Sequence, residues 1–105
     1  MKTHADLDRR SLALARAIVA QIDGDLARVG LARARVLCQR WYQQCPEPAH
    51  KEWLEELERP WEEIRCVLLD DSETGQRLRQ SSPFCGILTP RQRWQIYRSF
   101  AQDEA

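Results

Sequence analysis

The stretch that decides the fold is CPEPAHKEWLEELERPWEEIRCVLL, residues 45–69, in which three prolines separate two short amphipathic segments. Each proline lacks the amide hydrogen that a helix interior needs and forces the residue before it out of helical geometry. Between the prolines, apolar residues recur at helical spacing. The first segment carries His50, Trp53, Leu54 and Leu57 on one face, and the second is expected to bury Trp61, Ile64, Val67 and Leu68. The stretch therefore predicts two short helices, over residues 49–58 and 60–69, as in a compact helical array.

The flanking sequence predicts further helices of the same period. A first helix over residues 7–22 ends at Asp23-Gly24, where a glycine favours a left-handed cap. A second helix, residues 25–44, starts with Asp25 as its cap, and Gly30 within it would mark a close helix crossing. The residues expected to form its core stripe are Leu26, Val29, Leu37 and Trp41, supported by Ala34 and Cys38.

The C-terminal third predicts two more helices. The first, over residues 73–80, is short and is weakened by Gly75. The second, over residues 90–101, opens with Thr-Pro-Arg-Gln, in which Thr89 caps the helix and Gln92 reaches back to complete a capping box. We therefore predict an all-α protein of about five to six short helices in a single domain, residues 1–105, with 1–6 and 102–105 frayed.

The charges are balanced overall, with 16 Lys and Arg against 16 Asp and Glu, but they are unevenly distributed. Residues 1–45 carry a net charge of +4, residues 46–75 carry −7, and residues 76–105 carry +3. Two interpretations remain open: the acidic middle packs beside the basic ends within one fold, or one patch meets a charged partner. No apolar stretch approaches the ~18 residues of a membrane span. The N-terminus also lacks the order of a signal peptide, so we expect a cytoplasmic protein without a membrane partner.

Nothing in the sequence predicts an enzyme, a cofactor or a metal site. The four cysteines form no C-x-x-C pair, and the close ligand pairs of a zinc site are missing. Cys38 and Cys66 lie on apolar helix faces and are expected to be small core residues. The adjacent acidic pairs, such as Glu62 and Glu63, point to different sides of a helix and do not converge. No catalytic residue is therefore assigned.

Residues 77–94, RLRQSSPFCGILTPRQRW, join a basic strip, a Ser-Ser-Pro turn, an apolar loop and a capped helix. One interpretation is that Phe84, Ile87 and Leu88 plug the end of the helical core. The other is that this segment recognises a partner, since Arg and aromatic residues are enriched at binding hot spots. The candidate partner-binding residues are Trp41, Arg77, Arg79, Gln80, Ser81, Ser82, Phe84, Arg91, Arg93 and Trp94.

This segment, together with Trp61-Glu62-Glu63-Ile64, resembles small helical antitoxin or chaperone partners of bacterial zeta-toxin-like kinase effectors. The resemblance covers about residues 50–98 and rests on Arg-Leu-Arg-Gln-Ser-Ser-Pro-Phe followed by glycine and a proline-capped helix. It implies a binding protein that wraps a cognate toxin or effector kinase and blocks its nucleotide or substrate site.

The alternative function is a DNA-binding transcriptional regulator, one that would repress its own operon. Arginines cluster on the predicted second helix, at Arg28, Arg33, Arg35 and Arg40, and on the last helix. DNA readers usually carry strong net positive charge, whereas this chain is neutral, so nucleic acid is the less favoured partner.

Overall fold

Six α-helices make up the part of the chain that the structure, a computed structural model, describes: residues 4–103, with side chains from 7 to 100. They are α1 (His4–Asp23), α2 (Val29–Gln44), α3 (Pro48–Leu57), α4 (Trp61–Leu68), α5 (Glu73–Gln80) and α6 (Pro90–Asp103). This described part contains no strand, which confirms the predicted all-α class. Of the termini predicted to fray, residues 4–6 begin α1 and 102–103 end α6, and the remainder lie outside the described residues.

The core centres on two tryptophans and a phenylalanine from different parts of the chain. Trp53 of α3 and Phe84 of the α5–α6 loop are fully buried, and their rings meet edge to face with centroids 5.9 Å apart. Trp61 of α4 lies on the other side of Phe84, at 6.5 Å. Each indole also finds a polar partner, because a buried N–H needs an acceptor. Trp53 donates to the carbonyl of Leu78 at 2.9 Å, and Trp61 to Asp23 Oδ1 at 2.7 Å.

The start of α2 differs from the prediction. Asp25 does act as a cap, accepting from the amides of Ala27 and Val29, but the helix begins only at Val29. Arg28 interrupts it, because its backbone is left-handed, with φ 48°. Leu26 therefore lies outside the helix and is fully exposed, and Val29 is half exposed. Both were wrongly predicted to be core residues; the core side of α2 is formed by Leu31, Ala34 and Cys38.

Two glycines are explained by close approaches. A Cβ on Gly30 would lie 3.0 Å from Ile22 Cγ1, which confirms the close helix crossing predicted there. A Cβ on Gly75 would collide with the backbone carbonyl of Asp70. The predicted left-handed cap at Gly24 is wrong, since its φ is not positive.

Ion pairs join the basic ends of the chain to its acidic middle. Arg77 holds Glu52 with two hydrogen bonds, of 2.7 and 2.9 Å, and Arg28 lies 4.0 Å from Glu62. These contacts support the interpretation that the charged segments pack against one another within one fold. Within the described residues, no helix is both long enough and apolar enough to cross a bilayer.

Candidate partner-binding groove

The capping box at the start of α6 fixes how the last helix leaves the core. Gln92 Oε1 accepts from the amide of Thr89 at 2.8 Å, and the amide of Gln92 donates to Thr89 Oγ1 at 3.2 Å. This reciprocal pair, with Pro90 at the first helical position, confirms the predicted capping box. From this fixed start α6 packs along α1, with Ile96 against the core.

A groove opens between α1 and α6, beside the end of α5 and the following loop. Its inner end is a cleft of about 220 Å³ with a largely apolar floor, and its outer end is a wider depression of about 610 Å³. Ser11, Leu14 and Tyr97 line both ends, so the two form one continuous surface, which we call the α1–α6 groove. Its other lining residues include Leu7, Arg10, Ala15, Ile18, Gln80, Ser82, Leu88, Arg93, Trp94 and Arg98.

The outer end of the groove is both aromatic and cationic. Trp94 is 62% exposed and Leu7 is 52% exposed, values that are high for large apolar side chains. The guanidinium of Arg10 lies over the ring of Tyr97, 5.9 Å from its centroid, a cation–π contact that orients both. Exposed aromatic and arginine side chains beside a concave apolar surface are typical of protein-binding sites.

The structure brings four of the candidate binding residues to this groove with side chains accessible at its surface. Gln80 and Trp94 are exposed, and Ser82 and Arg93 are partly buried along the inner cleft. Arg93 and Trp94 are neighbours on α6, while Gln80 and Ser82 come from the end of α5 and the loop after it. The predicted segment 77–94 therefore contributes one wall of the groove.

Arg79 was predicted to bind a partner, but the structure gives it packing contacts within the fold, and its side chain is only 3% exposed. Its guanidinium donates to Asp8 Oδ1 at 2.6 Å and to Ser11 Oγ at 3.1 Å, both on α1. It also donates to the backbone carbonyls of Leu68, at 3.3 Å, and Asp70, both at the end of α4. Arg79 thus ties α5 to two other helices and forms part of the groove's inner wall.

Phe84, a second predicted binding residue, is fully buried in the core. Ser82 Oγ accepts from the amide of Phe84 at 3.1 Å, which turns the phenyl ring into the core. Leu88 is buried as well, at 6% exposure, and Ile87 packs against the core edge. The interpretation that this loop plugs the end of the helical core is confirmed.

The other four candidates lie away from the groove. Arg77 faces Glu52 on α3, and Ser81 donates from its hydroxyl to the carbonyl of Leu78 at 3.4 Å. Arg91 is exposed on the first turn of α6. Trp41 is half buried at the end of α2, where its ring lies 5.6 Å from that of His50. Their role in binding stays a prediction.

Sequence reasoning missed the residues that α1 contributes to the groove, Leu7 and Arg10, and also Arg98 on α6. The spacing of Trp94 and Tyr97 did place these two on one side of the last helix. Nothing local to α1 indicated that its first turns would face that side. The partial signal was an arginine three or four residues from Trp94 and another four residues from Tyr97.

Cysteine and histidine chemistry does not assemble into a reactive site in the described residues. Cys38 is buried as predicted, and burial raises the pKa of its thiol. Cys66 was expected in the core and is exposed, because it lies on the outer side of the short helix α4. Cys45 donates to Glu47 Oε1 at 3.4 Å, and this carboxylate raises the pKa of the Cys45 thiol. His50 Nδ1 lies 2.8 Å from the backbone carbonyl of Cys45, so this ring nitrogen is held by the backbone.

Metal ligation has no support from geometry either. Within the described residues, no three His, Cys, Asp or Glu side chains gather closely enough to hold an ion.

Comparison of the chain with family models, with curated proteins and with solved structures gives no significant match. The groove and its residues are therefore the basis for a functional proposal.

Proposed function

We propose that this chain is a binding protein that holds a partner protein in the α1–α6 groove. The observation that carries the proposal is the 62% exposure of Trp94 beside an apolar cleft of about 220 Å³. Trp94 and Leu7, itself 52% exposed, both line the outer end of the groove, and exposed apolar residues that cluster beside a concave surface mark an interaction site. A partner side chain in the outer depression, which Trp94 lines, would cover that indole and exchange water for apolar contact.

The arginines around the groove support specificity. Arg93 lines the inner cleft, and Arg10 and Arg98 flank the outer depression. At the rim of an interface such charges steer the encounter and select partners with carboxylates. Trp94 supplies apolar contact area, and the cation–π pair of Arg10 with Tyr97 holds one rim residue in place before binding.

The resemblance of residues 50–98 to antitoxins supplies the class of partner. We propose that the chain acts as an antitoxin or chaperone that binds and neutralises a bacterial toxin or effector kinase by covering its nucleotide or substrate site. Two residues of the resembling pattern, Arg79 and Phe84, serve the fold. The surface for the partner is then the groove wall that they support.

The test is co-expression of the chain with the product of the gene beside its own. A stable complex and rescue of that product's toxicity are expected. Trp94→Ala should weaken the complex by about 30-fold or more, since truncating a hot-spot tryptophan costs about 2 kcal/mol or more. Arg93→Ala should weaken it as well, whereas Arg16→Ala, exposed on α1 but outside the groove, is the matched control.

Absence of any complex, with no rescue of toxicity, would refute the antitoxin proposal. A complex equally tolerant of Trp94→Ala and Arg16→Ala would show that the groove is not the contact surface. If the chain instead binds its own promoter with an affinity that falls steeply with salt, the regulator hypothesis replaces the antitoxin proposal.

A further inference from the structure

The outer face of α2 carries a second apolar stripe, on the opposite side from the buried face of that helix. Val29 and Val36 lie seven residues apart and are 52% and 54% exposed. Ala32 lies between the two valines and Gln39 follows Val36, and both are exposed on the same face. The α2 residues turned toward the core are Leu31, Ala34 and Cys38.

This exposed face has the spacing of a coiled-coil seam. If Val29 is heptad position a, then Ala32 is d, Val36 is the next a, and Gln39 is the next d. The core side of α2 then corresponds to positions b, c and f. The b, c and f side of α2, which faces solvent in a coiled coil, is packed into the core of this protein. The a and d side, which forms the interface in a coiled coil, is exposed.

The positions that flank the seam are all arginine. Arg33 and Arg40 fall at e, and Arg35 falls at g. All three are exposed, and Arg35 is oriented by a 2.9 Å hydrogen bond from its Nε to the carbonyl of Leu57. Charges at e and g decide which helix a seam accepts, because they meet the e and g charges of the partner.

These charges select the occupant. A second copy of this chain would place arginine opposite arginine across a two-fold seam, and like-charge contacts are unfavourable. A partner helix with glutamate or aspartate at e and g would instead pair with all three arginines. A nucleic acid would use the arginines but would leave the two valines against phosphate, so an acidic helix fits the whole face better.

We propose that the outer face of α2 docks an acidic amphipathic helix of a partner protein. Apolar residues of that helix lie on Val29, Ala32 and Val36, and its carboxylates meet Arg33, Arg35 and Arg40. A shallow depression of about 610 Å³ beside the stripe, continued by Pro83, Gly86 and Ile87 of the α5–α6 loop, receives one edge of the helix. This surface is separate from the α1–α6 groove.

The experiment uses the full chain and a synthetic helical peptide of about three heptads, with Ile at a, Leu at d and Glu at e and g. Its like charges oppose self-pairing, so it is available as a probe. Fluorescence anisotropy should show saturable binding of this peptide. The same peptide with Lys at e and g should bind at least about tenfold more weakly. A DNA duplex of about 20 base pairs should not compete with the Glu peptide for the chain.

Charge reversal decides between docking and general attraction. The double variant Arg33→Glu, Arg40→Glu should no longer bind the Glu peptide and should bind the Lys peptide instead. Val36→Asp should bind neither peptide. Trp94→Ala should change neither, which separates this surface from the groove. No binding of the Glu peptide, binding unchanged by Val36→Asp, or preferential binding of the duplex would overturn the proposal. Circular dichroism of each variant confirms that these exposed substitutions leave the helices formed.

Discussion

Replacing Arg79 by methionine tests the claim that this arginine holds the fold together. The substitution keeps the aliphatic volume and removes the guanidinium, whose side chain is 3% exposed and which joins α1, the end of α4 and α5. It leaves the Asp8 carboxylate, itself 21% exposed, without its cation, and it leaves the carbonyls of Leu68 and Asp70 without this donor. Breaking a buried, hydrogen-bonded ion pair by removing one partner costs about 3–5 kcal/mol.

That cost is large for a chain of 105 residues, because small domains are stable by only about 5–15 kcal/mol. At about 4 °C or more for each kcal/mol, the midpoint of thermal unfolding should fall by at least about 12 °C. Urea unfolding followed by circular dichroism gives the free energy of unfolding directly. If the Arg79→Met protein does not fold at all, Ser11→Ala removes a single acceptor of the same guanidinium and should cost about 0.5–1.5 kcal/mol.

The matched control is Arg77→Met, two residues away on the same helix. Arg77 also makes two hydrogen bonds to a carboxylate, but its side chain is 55% exposed, and exposed ion pairs contribute about 0.2–1 kcal/mol. Equal losses of stability in the two variants would refute the reasoning. So would an Arg79→Met protein of unchanged stability that no longer binds its partner.

Two further predictions concern backbone packing and pH. Gly75→Ala should destabilise the protein by about 1–3 kcal/mol or more because the new Cβ meets the Asp70 carbonyl. Gly86→Ala, with no atom within 4 Å of its Cβ, is the control and should change stability by less than about 0.5 kcal/mol. Equal unfolding midpoints for the two variants would contradict this. The hydrogen bond from Trp61 is the main cause that holds the pKa of Asp23 below its usual 3.8, so its contribution is complete above that pH and is lost as the pH falls through the lower folded-state pKa. Asp23→Asn should therefore flatten the acid limb of a stability curve measured by urea unfolding, and an unchanged limb would count against this.

The two proposed binding surfaces differ in whether the sequence alone could predict them. The aromatic side of α6 follows from helical spacing within one element, since Trp94 and Tyr97 are three residues apart. Of the stripe on α2, Val29 was predicted from the sequence to be a core residue, and Val36 was assigned to neither the core nor the surface. Only the position of α2 against α1 and α3 shows that Leu31, together with the predicted Ala34 and Cys38, faces the core, whereas Val29 does not.

The sequence by itself determined the local features of this protein. Prolines and caps act within three or four residues, so the helix breaks around Pro48 and Pro60 and the capping box at Thr89 could be predicted from neighbouring residues. The apolar faces of α3 and α4 followed in the same way, with Trp53 and Trp61 in the core.

Tertiary structure alone decided which charges are buried and which apolar residues are exposed. Arg79 and Asp8 are 71 residues apart in the chain, and no local pattern indicates that they meet at 2.6 Å. The same holds for Trp94, whose 62% exposure depends on how α6 packs along α1. Burial depends on how helices distant in sequence pack together. The residues around an arginine near a turn therefore do not show whether its side chain binds a partner or the protein's own backbone.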